Sequence, residues 1–64
     1  MKRRDLETHL RRHGCEILRE GANHTIFINE ATSAIAAASR HAEIKTPTVR
    51  AICRALDIPL PAAR

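Results

Sequence analysis

The stretch "EATSAIAAASRHAEI", Glu30 to Ile44, decides the fold. It is rich in alanine, the best helix former, and propensity alone predicts a helix over residues 30–41. A helix lying on a core also needs an apolar stripe, and this run has none. Its neighbours point the other way. "HTIFIN" (His24–Asn29) sets Thr, Ile, Phe and Ile in succession, the strongest strand signal in the chain. "CEILRE" (Cys15–Glu20) is also of strand length, and the Gly21-Ala22-Asn23 turn lets the two pair as a hairpin. Two strands without a third make a poor sheet. The residues by themselves leave the segment open between a helix and a third strand.

The flanking elements are clearer. "KRRDLETHLRRHG" puts Leu6 and Leu10 four apart on one face of a helix, with Arg3, Arg4, Glu7, Arg11 and Arg12 on the rest. Gly14 is placed to end that helix in a left-handed cap. Near the other end, Val49, Ile52, Cys53 and Leu56 recur at core-facing helical spacing, with Arg50 and Arg54 off the stripe. Thr46 is the expected cap and Pro47 the expected first helical residue. Residues 60–64 are expected to fray.

Sixty-four residues make one small domain, and a chain this short buries only about 60% of its unfolded surface. Fifteen Ile, Leu, Val, Met or Phe and eleven Ala fill one thin two-layer core, with no room for an enclosed substrate cavity. A large flexible substrate on an open surface suits this size better. The formal charge is +4, mostly from arginine, and the pI is ≈ 10.1. That charge favours nucleic acid or another polyanion without locating a site. Cys15 and Cys53 read as two half-buried free thiols of a reducing compartment. "MKRRDLETHLRRHG" lacks the apolar stretch of a usual signal peptide, and no run approaches a membrane span, so a cytoplasmic location is expected.

Four histidines are the candidate chemistry. His9 and His13 have helical metal-ligand spacing, but no Glu follows His9 as in HExxH and no third ligand is evident. They read as solvated, and no metal or other cofactor is expected. There is no CxxC, no phosphate-binding glycine loop and no carboxylate pair, and no serine triad can be assembled. His24 follows a turn of small residues and opens a stiff strand, so a bulky ligand can approach a well-placed ring. Histidine takes and gives protons near neutrality. On these features alone, a histidine that merely opens the strand is the simpler reading. Alternation puts His24, Ile26 and Ile28 on one face and Thr25, Phe27 and Asn29 on the other. Ile26 and Ile28 are expected to anchor the strand that carries the ring. His41 lies between Arg40 and Lys45 in a basic loop ahead of a helix N-terminus, where a phosphate could be held.

Taken together, "RDLETHLRRHGCEILREGANHTIFIN" and "SRHAEIKTPTVRAICRALDIP" resemble the HicA family of toxins from bacterial toxin–antitoxin modules, over Lys2 to about Pro59. The resemblance implies an α+β fold of order α-β-β-β-α, like a double-stranded-RNA-binding domain, with two helices on one face of a three-stranded antiparallel sheet. It therefore assigns "SAIAAAS" (Ser33–Ser39) to an edge strand, against its propensity. It implies a metal-independent ribonuclease that cleaves messenger RNA, a single catalytic histidine falling on His24, and a HicB-type antitoxin that masks the enzyme. Arg40, His41 and Lys45 are the candidates for holding or protonating the phosphate. The toxin alone is not expected to bind DNA or a membrane. The chain departs from the family pattern in reading "NEATSA" where a glycine-containing turn is common, and Asp57 where glycine is common. Two alternatives stay open: a helix-turn-helix DNA-binding module using Arg50 and Arg54, which "HTIFIN" disfavours, and a catalytically silent RNA-binding domain of the same fold.

Overall fold

The structure, a computed structural model, describes residues 1–61. Residues 62–64 of the tail expected to fray lie outside the described residues. The chain runs α1 (Arg3–Arg12), β1 (Cys15–Glu20), β2 (His24–Asn29), β3 (Ala34–Ser39) and α2 (Thr46–Ala55). The strands form one antiparallel sheet in the order β1-β2-β3. The α+β order is the one the resemblance implied, and the alanine-rich run is a strand.

Burial alternation explains why that run is not a helix. Ala36 and Ala38 are buried under α2 at 8% and 2% exposure, while Ile35, on the other face of the strand, is 55% exposed. Small side chains let α2 come close to the sheet. The backbone of the run supplies hydrogen bonds that the free side of β2 would otherwise lack. Leu6 and Leu10 of α1, and Val49, Ile52 and Cys53 of α2, close over Cys15, Phe27, Ala36 and Ala38 in a single core. Both helices therefore lie on one face.

The face assignment of β2 corrects one expectation. Thr25, Phe27 and Asn29 are the buried residues, and Ile26 and Ile28 are half-buried on the open face with His24. The strand is anchored by Phe27 and by Asn29, whose amide donates to the Leu56 carbonyl at 2.8 Å and whose side-chain oxygen accepts from the Ala31 N–H at 3.0 Å. The helices determine this choice: they sit over the odd-numbered residues, so the even-numbered ones face out. Cys15 and Cys53 are free and wholly buried rather than half-buried. Burial pushes both thiols up, helped by Glu16 at Cys15 and by Cys15 at Cys53.

Helix ends follow local chemistry, with one shift. Gly14 has φ 80°, and its N–H bonds the Arg11 carbonyl at 3.1 Å. α2 begins one residue earlier than expected: Lys45 is the cap residue, without a side-chain cap bond, and Thr46 is already helical. The helix finishes in a Schellman motif, with Ile58 N–H on the Cys53 carbonyl and Asp57 N–H on that of Arg54. Among the described residues, Asp57 (φ 58°) and Ser33 (φ 64°) are the two non-glycine residues with left-handed backbone. Asp57 and the turn that holds Ser33 are the two departures from glycine noted in the sequence. A non-glycine residue there costs about 1–3 kcal/mol, against about 0.4–1 kcal/mol for the extra unfolded-state freedom of glycine. Ser33→Gly and Asp57→Gly are each expected to raise stability by about 0.5–1 kcal/mol, read as a higher urea midpoint at unchanged slope.

Candidate functional site

His24 opens β2 at the end of the sheet where β1 finishes and β3 leaves. Its ring is exposed on the open face, and no described group hydrogen-bonds it. The turn before it is closed tightly. Gly21 N–H donates to the His24 carbonyl at 2.7 Å, and a Cβ on Gly21 would stand 3.3 Å from that same oxygen. Arg40 clamps the turn from the β3 side: its N–H reaches the Asn23 carbonyl at 3.3 Å and its Nη1 the Gly21 carbonyl at 3.0 Å.

Beneath the turn lies a polar cluster that the sequence reading missed. Arg3 from α1 donates through Nη2 to the Thr25 hydroxyl at 2.6 Å, and that hydroxyl donates to Glu20 Oε1 at 2.9 Å. Arg3 also pairs with Glu7 at 3.3 Å, and Glu20 lies 3.8 Å from Arg3 and 3.9 Å from Arg40. Thr25 is wholly buried, so these bonds tie α1, the end of β1 and the His24 turn into one unit. The Nε of Arg3 is buried without a partner among the described residues. In sequence, Arg3 looked like any cation of a polar helix face. Its local pairing with Glu7 is ordinary for a helix face, and the partners that single it out, Glu20 and Thr25, lie 17 and 22 residues away.

The basic loop follows β3 directly. Its side chains divide between two open grooves that meet at Ala42 and Glu43. Arg40 faces a groove of about 560 Å³ with Lys2, Arg3 and Arg4. His41 and Lys45 share the other, of about 460 Å³, with Ser39 and Thr48. Ser39 links the second groove to the ring, since it is the residue directly opposite His24 in the β2–β3 ladder. The Arg40–Asn23 bond makes 23/40 a hydrogen-bonded pair, so 24/39 is a non-bonded pair, the kind with Cα atoms only about 4.5 Å apart and side chains close together. Ser39 was not among the expected site residues, and its register was readable only once β3 was known to be a strand. Of the three expected phosphate-binding candidates, Arg40 thus lines the first groove and His41 and Lys45 the second.

His9 and His13 pack ring to ring at 4.6 Å, and a ring nitrogen of His9 meets the Pro59 carbonyl at 2.8 Å. His9 is therefore engaged with the tail rather than simply solvated. No group of three or more potential metal-ligand side chains occurs among the described residues. No described helix is long and apolar enough to cross a membrane.

The arrangement offers a fixed but unencumbered imidazole, a hydroxyl across from it and cations on both sides of the adjoining loop. Comparison with curated proteins and with solved structures gave no match. The family model described as the HicA toxin of bacterial toxin–antitoxin systems matches residues 3–58 of the 64. With that span covering α1 through the Schellman turn after α2, the chain belongs to the HicA toxin family.

Proposed function

We propose that this toxin is an endoribonuclease that cleaves messenger RNA, and so blocks translation, with His24 as its general acid–base. The observation that carries the reading is the exposed, hydrogen-bond-free ring of His24 on a tightly closed turn, beside a groove holding His41 and Lys45. RNA brings its own nucleophile. Neutral His24 takes the proton of a 2′-hydroxyl, and that oxygen attacks the adjacent phosphorus. The bond from phosphorus to the 5′-oxygen breaks, and this oxygen takes up a proton. The products are a 2′,3′-cyclic phosphate and a 5′-hydroxyl. Lys45 and the N–H groups of Arg40 not spent on Gly21 hold the phosphate from the two adjoining grooves as charge develops on its oxygens. His41 supplies the departing proton.

The chain's net charge of +4 supports binding along the phosphate backbone, so affinity falls as salt rises. Phe27 is the only aromatic of Phe, Trp and Tyr in the chain, and it is buried. Base stacking on such a residue is thus unavailable at the surface, and weak sequence selectivity is expected. The partner is a HicB-type antitoxin. The element order disfavours the helix-turn-helix alternative, since all three strands separate the two helices and no consecutive helix pair occurs among the described residues. A silent RNA-binding domain is separated from the enzyme by activity alone. The test is end-group analysis of RNA cut in EDTA, beside the same RNA carrying 2′-deoxy residues. Cyclic phosphate ends with an uncut deoxy substrate are expected. Cleavage of the deoxy substrate, or 5′-phosphate ends, would sink the mechanism.

A further inference from the structure

The two edges of the sheet are treated very differently. The β1 edge carries Glu16, Arg19 and Glu20 and is broken by a bulge between Ile17 and Arg19, features that discourage strand addition. The β3 edge, "AIAAAS", has no charge, no proline and an unbroken register. The hydrogen-bonded pair 23/40 fixes the alternation along β3. Ala34, Ala36 and Ala38 turn their backbone groups to β2, and Ile35, Ala37 and Ser39 turn theirs outward. Among the described residues nothing bonds those outward groups.

We propose that this edge is a self-association surface, on which two copies pair β3 to β3 antiparallel and make one six-stranded sheet. Self-complementarity argues for a second copy as the occupant. A two-fold axis at Ala37 sets Ile35 opposite Ser39 of the other copy. All three outward residues of each strand then fall on bonded pairs, and both open faces lie on one side. The same axis brings the acidic Glu30 end of each strand to the basic Arg40–Lys45 end of its mate.

The helix beside this edge is compatible. Thr48 shares a groove with Ser39, so its flank of α2 borders β3. Ala51 and Ala55, one and two turns on, continue that flank and are exposed, while Arg50 and Arg54 lie away from it. In a chain of net charge +4, this flank lets two copies meet without opposing cations.

Sedimentation equilibrium with residue-resolved hydrogen exchange tests the idea. The wild type is expected to pass from monomer to dimer as concentration rises, with the amides of Ile35, Ala37 and Ser39 becoming protected. Ala37→Pro removes an N–H that β2 does not use and is expected to remain monomeric with an unchanged circular dichroism spectrum. Should that variant fail to fold, Ala51→Lys, which places a cation against its symmetry mate, is expected to shift the equilibrium to monomer. A wild type that stays monomeric into the millimolar range overturns the proposal. So does a dimer whose outward β3 amides exchange freely. Protection of those amides only when antitoxin is added also overturns it and assigns the edge to that protein. None of these outcomes depends on RNA cleavage.

Discussion

RNA cleavage by the His24→Ala protein is expected to fall by about 10²- to 10⁴-fold, the usual worth of a positioned general acid–base, with stability nearly unchanged. Both halves follow from the same geometry. The ring is exposed and makes no described hydrogen bond, so its removal leaves no cavity and orphans no partner. The backbone that holds it is fixed independently, through Gly21 and Arg40. A loss of activity without loss of fold separates a catalytic histidine from one that only opens a strand. The measurement is single-turnover cleavage of one RNA by both proteins, beside their urea curves. Wild-type cleavage by the variant would refute the assignment, and so would a loss that merely tracks unfolding. His9→Ala serves as a contrast, because that ring is engaged with Pro59, away from the His24 turn.

Phe27→Ala is expected to cost about 3–5 kcal/mol, comparable to the whole stability that a core of this size supplies, so the variant should be largely unfolded at room temperature. Phe27 is 2% exposed and sits in the core cluster between the residues of both helices. The open face is too shallow to make Ile26→Ala nearly as costly, since a half-buried side chain gives up less contact. Chemical denaturation of the two variants reads out which face of β2 carries the fold. Equal losses would mean that the strand is anchored from both sides.

The difference between those two substitutions marks a limit of sequence reading. Alternation along "HTIFIN" separates the two faces correctly but does not say which one the helices cover. The two isoleucines share the face that stays open, and Phe27 is the one apolar residue on the face that is buried, so counting apolar residues points to the wrong side. Thr25 and Asn29 look like poor core residues until their partners are known, and each is satisfied from outside its own strand. Thr25 bonds Arg3 and Glu20, and Asn29 bonds Leu56 and Ala31. The candidate site divides in the same way. A small-residue turn and a stiff strand made His24 a candidate in the sequence, and the family resemblance rather than its placement favoured it as the catalytic residue. Ser39 had no such signal, because it enters only through register across the ladder.

By itself the sequence determined the amphipathic helices, the β1–β2 hairpin and the glycine-led end of α1. It also supplied an arginine-rich balance suited to a polyanion. Those features depend on spacing within a few residues, where periodicity and backbone preference act directly. Tertiary structure alone decided that an alanine-rich run with helical propensity is a strand, because the free side of β2 and the close approach of α2 outweigh a few tenths of a kcal/mol per residue. It also decided that Arg40 lines one groove and His41 and Lys45 the next, and that Arg3 braces the turn beneath His24. These contacts join residues far apart in sequence, so no local pattern encodes them.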